Sequence, residues 1–592
     1  MCGFVTLLVP SGQRVRGAVL RRMTARLAHR GPDDLGFACI DPPSGALRTW
    51  GPALPDDLEL SGVLFGHCRL SILDLSPAAH QPMVSDESSS VLCFNGAIYN
   101  FLELRCRLVA EGASFRGTGD TEVLLKAYDR WGVQALPRLN GMWAFVLWDG
   151  SRRTLVASRD RFGVKPLYHA VVDGVQIFGS EIKGVVGYPG AFRGFEGPKV
   201  HDFLRDGLTD HTDQTMFRGI RSLPPGTSIE LGDGRCSAAR YWSFPGSEPT
   251  GGAAPETLIA GFRELLSDAV GLRVRSDVPI GTMMSGGLDS TAIAALIREH
   301  QRDRGEAART FDGLISFQHT FSACWPGSAS DEEAEIDVMG AKLGLVCHKI
   351  YPRPETIADV LPSLAYHLDE PFFDPVAAVQ YLLMREARAQ GAKVVLNGHG
   401  SDESLAGYRL MGRLGGAGML AGQPRGSAWD PADSCVEPPG LTALGAALWF
   451  QFAIRNVPRW LRMEDRVSMA ASVESRLPFL DYRLVEFAFA LPDDLKLRDG
   501  YSKYILRQAM RDLLPARLLG TRTKRPFLAP FAQWLRGPWR PMIKDLLSHP
   551  GQVAPYLNYP RFRANLDAIE PNLLWRVLSV ELWMRAFAGG EI

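Results

Sequence analysis

Residues 278–300, VPIGTMMSGGLDSTAIAALIREH, dictate more about the fold than any other stretch, because an apolar run passes through a glycine turn into a helical pattern. A buried strand that leads through glycines into a helix is typical of a βαβ unit. The apolar runs LISFQHTFS and AKVVLNG also adjoin longer helical segments. We therefore predict that the second half is an α/β domain with a parallel sheet, which becomes mostly helical after Pro478.

The loop SGGLDS, residues 285–290, places glycines, hydroxyls and one carboxylate at the start of the predicted helix. Backbone N–H groups at a helix N-terminus bind phosphate, although a turn without a ligand would have the same pattern. No lysine follows the glycines, so the loop is not a Walker A motif. Asp289 would repel phosphate unless a divalent cation lay between them, and a second acidic loop, GHGSDE with Asp402, follows another predicted strand. We therefore predict Mg²⁺ bound by Asp289 and Asp402.

The first half has a different pattern of predicted strands and helices. Short strand-like runs such as SVLCFNGAIY and MWAFVLWD continue to about Tyr241, with a few helical stretches between them. Grouped strands with few helices predict an α+β layered domain. The stretch SFPGSEPTGGAAPET has the composition of a linker. We predict two domains, at residues 2–218 and 250–592.

Composition excludes several classes of protein. The 592 residues include 65 basic and 65 acidic side chains, so no excess charge points to nucleic acid or to a membrane surface. The nine cysteines form neither a CxxC pair nor a zinc-type cluster with histidine. No apolar run is long enough to span a bilayer, and the N-terminus lacks the pattern of a signal peptide. We predict a cytoplasmic protein with reduced cysteines.

Cys2 stands where removal of Met1 would make it the first residue. It would then carry a nucleophilic thiol and a free α-amino group, which is a candidate base, on one residue. A cysteine at this position is more often an inert residue, so the remainder of the sequence must decide between the two.

Motifs from both halves together resemble the glutamine-hydrolysing asparagine synthetase family. They include MCGF, AHRGPDDLGF, FNGAIYNFLELR, GDTEVLLKAY, SRDRFGVKPLYH, SGGLDS, DEPFFDP, GHGSDE and SMAASVESRLPFLD, in this order over nearly the full length. The resemblance implies an α/β/β/α glutaminase domain of the class II, N-terminal nucleophile (Ntn) type. It implies that an ATP-pyrophosphatase domain follows. It also implies a homodimer, since dimerisation is common in the family.

In the first domain the resemblance implies that Cys2 attacks the side-chain amide of glutamine. The Asn95 side-chain amide and the Gly96 backbone N–H would stabilise the oxyanion. Arg69 and Asp120 would hold the α-carboxylate and α-amino groups of glutamine. The complete set of implied glutamine-binding residues is Arg69, Leu70, Ser71, Ile72, Leu73, Asn95, Gly96, Ala97 and Asp120.

In the second domain the resemblance implies ATP bound at a set of loop residues, with Mg²⁺ as cofactor. His399 and Lys524 would act in catalysis there, Lys524 through its positive charge near the α-phosphate. The implied ATP-binding residues are Met284, Ser285, Gly286, Gly287, Leu288, Asp289, Ser290, Ala323, Asn397 and Gly398.

Two positions depart from the family pattern. Ala97 replaces a glutamate that binds the α-amino group of glutamine, and loss of that hydrogen bond would cost about 1.5–3 kcal/mol. His399 replaces a glutamate near the acyl-adenylate, where histidine offers no fixed negative charge to an amine. Alternatively, His399 only lines the pocket. A Gly- and Pro-rich insertion at residues 410–440 follows this loop and fits an unusual acceptor or a surface loop equally well.

The sequence therefore predicts glutamine-dependent, ATP-dependent amidation of a carboxylate through an acyl-adenylate, with ammonia passed internally. The leading reaction converts L-aspartate to L-asparagine and releases glutamate, AMP and pyrophosphate. One alternative is the same chemistry on a specialised-metabolite carboxylate. Others are an amide ligase or cyclase with a weak or dead glutaminase, and a non-catalytic protein. Retention of Cys2, Arg69, Asn95 and Asp120, and of both acidic loops, argues against the last two.

Overall fold

The computed structural model describes residues 2–232, 234–244, 252–304, 318–328, 330–408, 437–522 and 529–588. Two sequence-based predictions concern positions outside this set. They are the role of Lys524 and the structure of most of the insertion at residues 410–440.

The N-terminal half contains two large antiparallel sheets and a small two-stranded sheet. Its strands are β1 (Cys2–Leu8), β2 (Val15–Arg16), β3 (Asp34–Ile40), β4 (Leu47–Trp50), β5 (Glu59–Leu60), β6 (Val63–Arg69), β7 (Met83–Val84), β8 (Val91–Ile98), β9 (Gly141–Asp149), β10 (Thr154–Arg159), β11 (Tyr168–Val172), β12 (Val175–Gly179), β13 (Ile220–Ser222), β14 (Thr227–Gly232) and β15 (Arg235–Arg240). One sheet has the order β13-β11-β12-β1-β6-β3-β4, and the other has the order β15-β14-β10-β9-β8-β7. The small sheet pairs β2 with β5 in antiparallel orientation.

The two sheets pack face to face because alternate residues of their strands are apolar on the inner side. Phe4 and Phe65 of the first sheet meet Cys93 and Val146 of the second in one buried cluster. Helices cover the outer faces. They are α1 (Gly17–Ala25), α2 (Phe101–Ala110), α3 (Asp120–Trp131), α4 (Ile182–Val185) and α5 (Gly197–Asp206). The helices α2 and α3 cover the second sheet, and α1 and α4 cover the first. The predicted α/β/β/α layering is confirmed.

The C-terminal half contains one parallel sheet. Its strands are β16 (Ile280–Met283), β17 (His319–Ala323), β18 (Val346–Ile350), β19 (Val394–Leu396) and β20 (Glu474–Arg476). Their order is β18-β17-β16-β19-β20, and every neighbouring pair is parallel. Strands β17 and β18 are added on one side of β16, and β19 and β20 are then added on its other side. This reversal creates a crevice at the carboxyl ends of β16 and β19, where open α/β sheets bind ligands.

Helices surround this sheet and form most of the C-terminal region, as predicted. They are α6 (Pro255–Arg273), α7 (Leu288–Arg304), α8 (Glu333–Leu343), α9 (Pro354–His367), α10 (Val376–Ala389), α11 (Ser401–Ser404), α12 (Ala443–Trp449), α13 (Asn456–Ala470), α14 (Tyr482–Ala490), α15 (Asp493–Lys496), α16 (Tyr504–Ala509), α17 (Ala516–Leu519), α18 (Phe531–Arg536), α19 (Arg540–Leu546), α20 (Tyr559–Ala564) and α21 (Pro571–Ala588). A two-stranded hairpin pairs β21 (Leu497–Arg498) with β22 (Tyr501–Ser502). Within the described residues, every helix is too short or too polar to cross a membrane.

A network of buried charges joins the two halves. The Arg30 guanidinium lies 2.8 Å from the Asp465 carboxylate, and the Lys165 ammonium lies 3.3 Å from the same group. The Lys183 ammonium lies 2.8 Å from the Asp369 carboxylate. All of these side chains are at most 1% exposed. Glu181 in the first half and Arg466 in the second also pair with members of the network, so the charges compensate one another both within and between the halves.

The strands of the N-terminal sheets continue beyond the predicted first domain. Its predicted end at residue 218 precedes β13, β14 and β15, which belong to the two N-terminal sheets. The sheet structure ends at Arg240, shortly before the linker composition begins.

Candidate active site

Cys2 lies at the edge of a small pocket in the N-terminal half. It is the first residue of β1 and pairs in register with Arg69 of β6. Strand alternation places its side chain on the same face of β1 as Phe4, toward the second sheet. The Cys2 backbone N–H donates to Asn95 Oδ1 at 3.1 Å. Burial raises the pKa of the Cys2 thiol, so a base must take its proton before it can attack.

Asn95 and Gly96 lie on β8 beside Cys2. The Asn95 side-chain nitrogen Nδ2 is buried and has no acceptor among the described residues. A buried donor without an acceptor is costly unless a ligand supplies one. A Cβ at Gly96 would lie 2.2 Å from the Met142 carbonyl oxygen, so this close approach of strands requires glycine. The donor and the glycine fit an oxyanion site.

Arg69 and Asp120 both line this pocket. The Arg69 guanidinium donates to the Leu73 carbonyl at 3.3 Å and also contacts the Asp74 carbonyl, which fixes its position. Asp120 begins α3 and accepts a hydrogen bond of 2.9 Å from the Ile98 backbone N–H. A cation and a carboxylate in one wall suit the two charged ends of an amino acid.

Most of the predicted glutamine-binding residues line the pocket. Asn95 and Ser71 do not line it. The Ser71 backbone N–H instead donates to the Asp33 carboxylate at 2.8 Å. The predicted residues in the wall are Cys2, Arg69, Leu70, Ile72, Leu73, Gly96, Ala97 and Asp120.

Glu474 and Arg476 also line this pocket, although they belong to β20 of the C-terminal half. No role was predicted for them from the sequence. Their charged side chains alternate at strand spacing in the motif VESRLP, and this pattern could have indicated that both face the same site.

A larger cavity of about 470 Å³ lies at the crevice between β16 and β19. It contains every predicted nucleotide and metal position that the structure describes, together with His399. These residues are Met284, Ser285, Gly286, Gly287, Leu288, Asp289, Ser290, Ala323, Asn397, Gly398, His399 and Asp402.

Hydrogen bonds within the loop hold its turn ahead of α7. The Ser290 hydroxyl donates to the Ser285 carbonyl at 3.0 Å, and the Gly287 N–H donates to the Ser285 hydroxyl at 3.2 Å. A Cβ at Gly286 would lie 2.8 Å from the Glu335 Cβ. The loop therefore presents backbone N–H groups at the start of a long helix, which is the arrangement that binds phosphate.

Two acidic side chains of this cavity converge on one cation, the Lys503 ammonium. Its nitrogen lies 2.7 Å from the Asp402 carboxylate and also contacts the Asp289 carboxylate. Ser401 donates to Asp289 at 2.8 Å. Convergent carboxylate oxygens are the donors that Mg²⁺ prefers, so Asp289 and Asp402 fit the predicted ion. Lys503 was not predicted from the sequence, because it is 100 or more positions from either carboxylate.

His399 lines the same cavity between an acid and an aromatic ring. Its Nε2 lies 3.2 Å from the Glu464 carboxylate, and its ring stacks on Trp460 with centroids 5.7 Å apart. Burial opposes the charged form, but the pairing with Glu464 raises the pKa of His399. This part of the wall therefore holds a histidine paired with a carboxylate, where the family pattern has a glutamate.

Comparisons with known proteins agree with both halves. A family model described as "Asparagine synthase" matches residues 261–585, and one described as "Glutamine amidotransferase domain" matches residues 1–242. Asparagine synthetase (glutamine-hydrolyzing) 3 of Bacillus subtilis (strain 168) is 29% identical, covering 89% of this chain and 87% of that protein.

Two further relatives cover most of this chain. Asparagine synthetase (glutamine-hydrolyzing) 1 of the same organism is 26% identical, over 98% of this chain and 96% of that protein. Amidase chyE of Penicillium rubens is also 26% identical, over 88% of each chain.

Proposed function

The chain belongs to the glutamine-hydrolysing asparagine synthetase family, and we propose that it amidates a carboxylate through an acyl-adenylate, with nitrogen taken from glutamine. The observation that carries this proposal is the presence of both sites in one chain. The first holds a cysteine beside an unpaired buried amide donor, and the second holds a phosphate-type loop beside convergent carboxylates. We assign the first site to a domain that extends to Arg240 and the second to residues 250–592.

In the first domain we propose that the Cys2 thiolate attacks the side-chain carbonyl carbon of glutamine. If Met1 is removed, the α-amino group of Cys2 takes the thiol proton. The carbonyl oxygen becomes an oxyanion, which Asn95 Nδ2 and the Gly96 N–H stabilise. The protonated α-amino group then gives its proton to the leaving nitrogen, so that the tetrahedral intermediate collapses to a thioester and releases ammonia, and water hydrolyses the thioester to glutamate.

In the second domain we propose that the acceptor carboxylate attacks the α-phosphorus of ATP and displaces pyrophosphate. The backbone N–H groups of residues 285–290 bind the phosphates, and Lys503 places a positive charge beside them. Mg²⁺, when held by Asp289 and Asp402, would neutralise phosphate charge. Ammonia, passed internally from the first site, attacks the acyl-adenylate, so that AMP leaves and an amide forms. The role of Lys524 near the α-phosphate and the formation of a homodimer remain predictions.

L-Aspartate is the leading acceptor, because the similar Bacillus proteins are named asparagine synthetases. His399 favours a second candidate, which is a carboxylate without a nearby ammonium group. Because His399 is paired with Glu464, it offers no fixed negative charge to the α-ammonium of aspartate. An acceptor that lacks this group needs no such charge and can place an apolar part against Trp460.

Pyrophosphate release from ATP tests the acceptor directly. We expect release to depend on an added carboxylate, and the amide is followed by mass. Release with L-aspartate and formation of asparagine would establish the leading reaction. Release with succinate or aromatic carboxylates but not with aspartate would establish the second candidate. Release that no carboxylate stimulates, with Cys2-dependent glutaminase intact, would contradict carboxylate amidation.

Glutamine use is expected to weaken in acid because of Asp120. Burial, together with the negative charge of Glu474, raises the pKa of Asp120 to about 6. The carboxylate that receives the α-ammonium of glutamine therefore becomes protonated as the pH falls through 6. We expect kcat/KM for glutamate release to fall about tenfold per pH unit below this point.

The rate at saturating glutamine provides the internal control. Bound ammonium keeps Asp120 ionised, so kcat should change less than kcat/KM between pH 7 and 5. A kcat/KM that is constant over this range would show that Asp120 does not bind the amine.

A further inference from the structure

The backbone of Cys2 is held at both of its ends. Its N–H donates to Asn95 Oδ1 at 3.1 Å, and its carbonyl accepts a hydrogen bond of 2.9 Å from Arg30 Nε. Asn95 belongs to β8 of the facing sheet, and Arg30 ends the turn that follows α1. These contacts fix the residue that carries both the thiol and the α-amino group, and small displacements of reacting groups lower a rate strongly.

The Arg30 guanidinium is held in turn by carboxylates from both halves. Its Nη1 lies 2.5 Å from the Glu181 carboxylate and 2.8 Å from Asp465 Oδ2, and its Nη2 donates to Asp465 Oδ1 at 3.1 Å. Asp465 therefore accepts from two nitrogens, whereas Glu181 accepts from one. A bidentate pair fixes the plane of a guanidinium, and this plane sets the direction in which Nε–H points.

Asp465 is a permanently charged anchor. The Lys165 ammonium lies 3.3 Å from its carboxylate, and the Arg466 guanidinium lies 2.9 Å from it. Burial opposes the ionised form, but the positive charges of Arg30, Lys165 and Arg466 hold the pKa of Asp465 well below its usual range. The carboxylate is 1% exposed, so bulk water cannot take its place beside Arg30.

The residue before Asp465 serves the other site. Glu464 and Asp465 are consecutive on α13, and the Glu464 carboxylate lies 3.2 Å from His399 Nε2 in the larger cavity. Consecutive residues of a helix point about 100° apart, which allows one turn to serve two directions. Helix α13 of the synthetase half therefore sends one carboxylate to the larger cavity and the next toward the nucleophile of the smaller one.

We propose that Asp465 is a positioning residue for glutamine hydrolysis. Through its bidentate pair with Arg30, the synthetase domain sets the position of the Cys2 carbonyl, and with it the position of the thiol and of the α-amino group. This inference rests on the proposed function of the smaller pocket as the glutamine site. It makes the rate of glutamine hydrolysis, rather than the affinity for glutamine, depend on a residue of the other domain.

The test is glutamate release by the full-length chain without ATP or acceptor. Asp465→Asn keeps the shape of the side chain and removes its charge. We expect kcat to fall at least about tenfold and KM to stay within about threefold of native, since no contact with the substrate is lost. Rates are expressed per Cys2 that 6-diazo-5-oxo-L-norleucine, a glutamine analogue, labels covalently, so that misfolded chains are not counted.

Lys165→Met is the matched control. It removes another partner of the same buried carboxylate from the same half as Arg30, but leaves the Arg30 pair in place. Its kcat per labelled Cys2 should stay within about twofold of native. An equal loss in Lys165→Met and Asp465→Asn would overturn the inference, because disturbance of the interface alone would then explain both.

Arg30→Lys provides a second arm, which keeps a positive charge beside both carboxylates but has neither Nε nor the planar fork. Its kcat should also fall about tenfold, and adding Asp465→Asn should lower it by less than a further twofold, because both changes act through one contact. A native kcat per labelled Cys2 in either single variant would overturn the inference. Absence of Cys2-dependent glutamate release from the native chain would instead contradict the proposed function of the pocket.

Discussion

Cys2→Ala is expected to lower glutamine-dependent amide formation by at least about 10³-fold while ammonia-dependent amide formation continues at the native rate. The thiol is the nucleophile of the proposed glutaminase reaction, and no other described thiol lines its pocket. Added ammonia bypasses this reaction, because the larger cavity lies in the other domain and is built from different residues.

The two rates are measured in one assay, as the amide formed from ATP and the acceptor with either glutamine or ammonium chloride. Cys93→Ala is a suitable control, since Cys93 is also buried, lies on β8 two positions before Asn95, and does not line the pocket. It should retain both activities. Full glutamine-dependent activity in Cys2→Ala would remove the nucleophile from the proposed mechanism.

Lys503→Met is expected to lower ATP-dependent pyrophosphate release by about 10²- to 10³-fold while glutamate release is unchanged. The Lys503 ammonium is buried and contacts the carboxylates of both Asp289 and Asp402. Methionine has a similar length but no charge. The two carboxylates would then repel each other and the triphosphate, at the point where negative charge must be stabilised.

Removal of one partner of a buried ion pair also destabilises a protein by about 3–5 kcal/mol, so thermal unfolding must be recorded for the variant. Lys503→Arg, which keeps the charge, should retain more activity than Lys503→Met. Arg507→Met is the matched control, because Arg507 lines the same cavity but donates to carbonyls rather than to these carboxylates. Native pyrophosphate release from Lys503→Met would show that its charge is not needed for adenylation.

Sequence could predict the parts of the sites that lie within short continuous motifs. SGGLDS and GHGSDE each follow a buried strand, and parallel strands place both loops at one edge of the sheet. Cys2 pairs in register with Arg69 of β6, and Asn95 approaches it from β8 of the facing sheet. Local pattern and sheet rules predicted the two loops of the second domain, whereas the roles of Arg69 and Asn95 were implied by the family resemblance.

The residues that were missed reach their sites through tertiary packing. Glu474 is more than 400 positions from Cys2 and enters its pocket only because the two domains dock. Lys503 directly follows the β21–β22 hairpin, has a backbone φ of 54°, and belongs to none of the motifs quoted above. The predicted first domain ends at residue 218, whereas β13 to β15 return to the two N-terminal sheets after an irregular stretch.

The buried charges between the halves bear on how such a chain can evolve. Arg30 and Lys165 from one half share Asp465 from the other, and none of the three is more than 1% exposed. Recombination with a half that lacked the residue matching Asp465 would leave the Lys165 ammonium in the interior without its carboxylate. The glutaminase and synthetase halves therefore constrain each other's sequences at this interface.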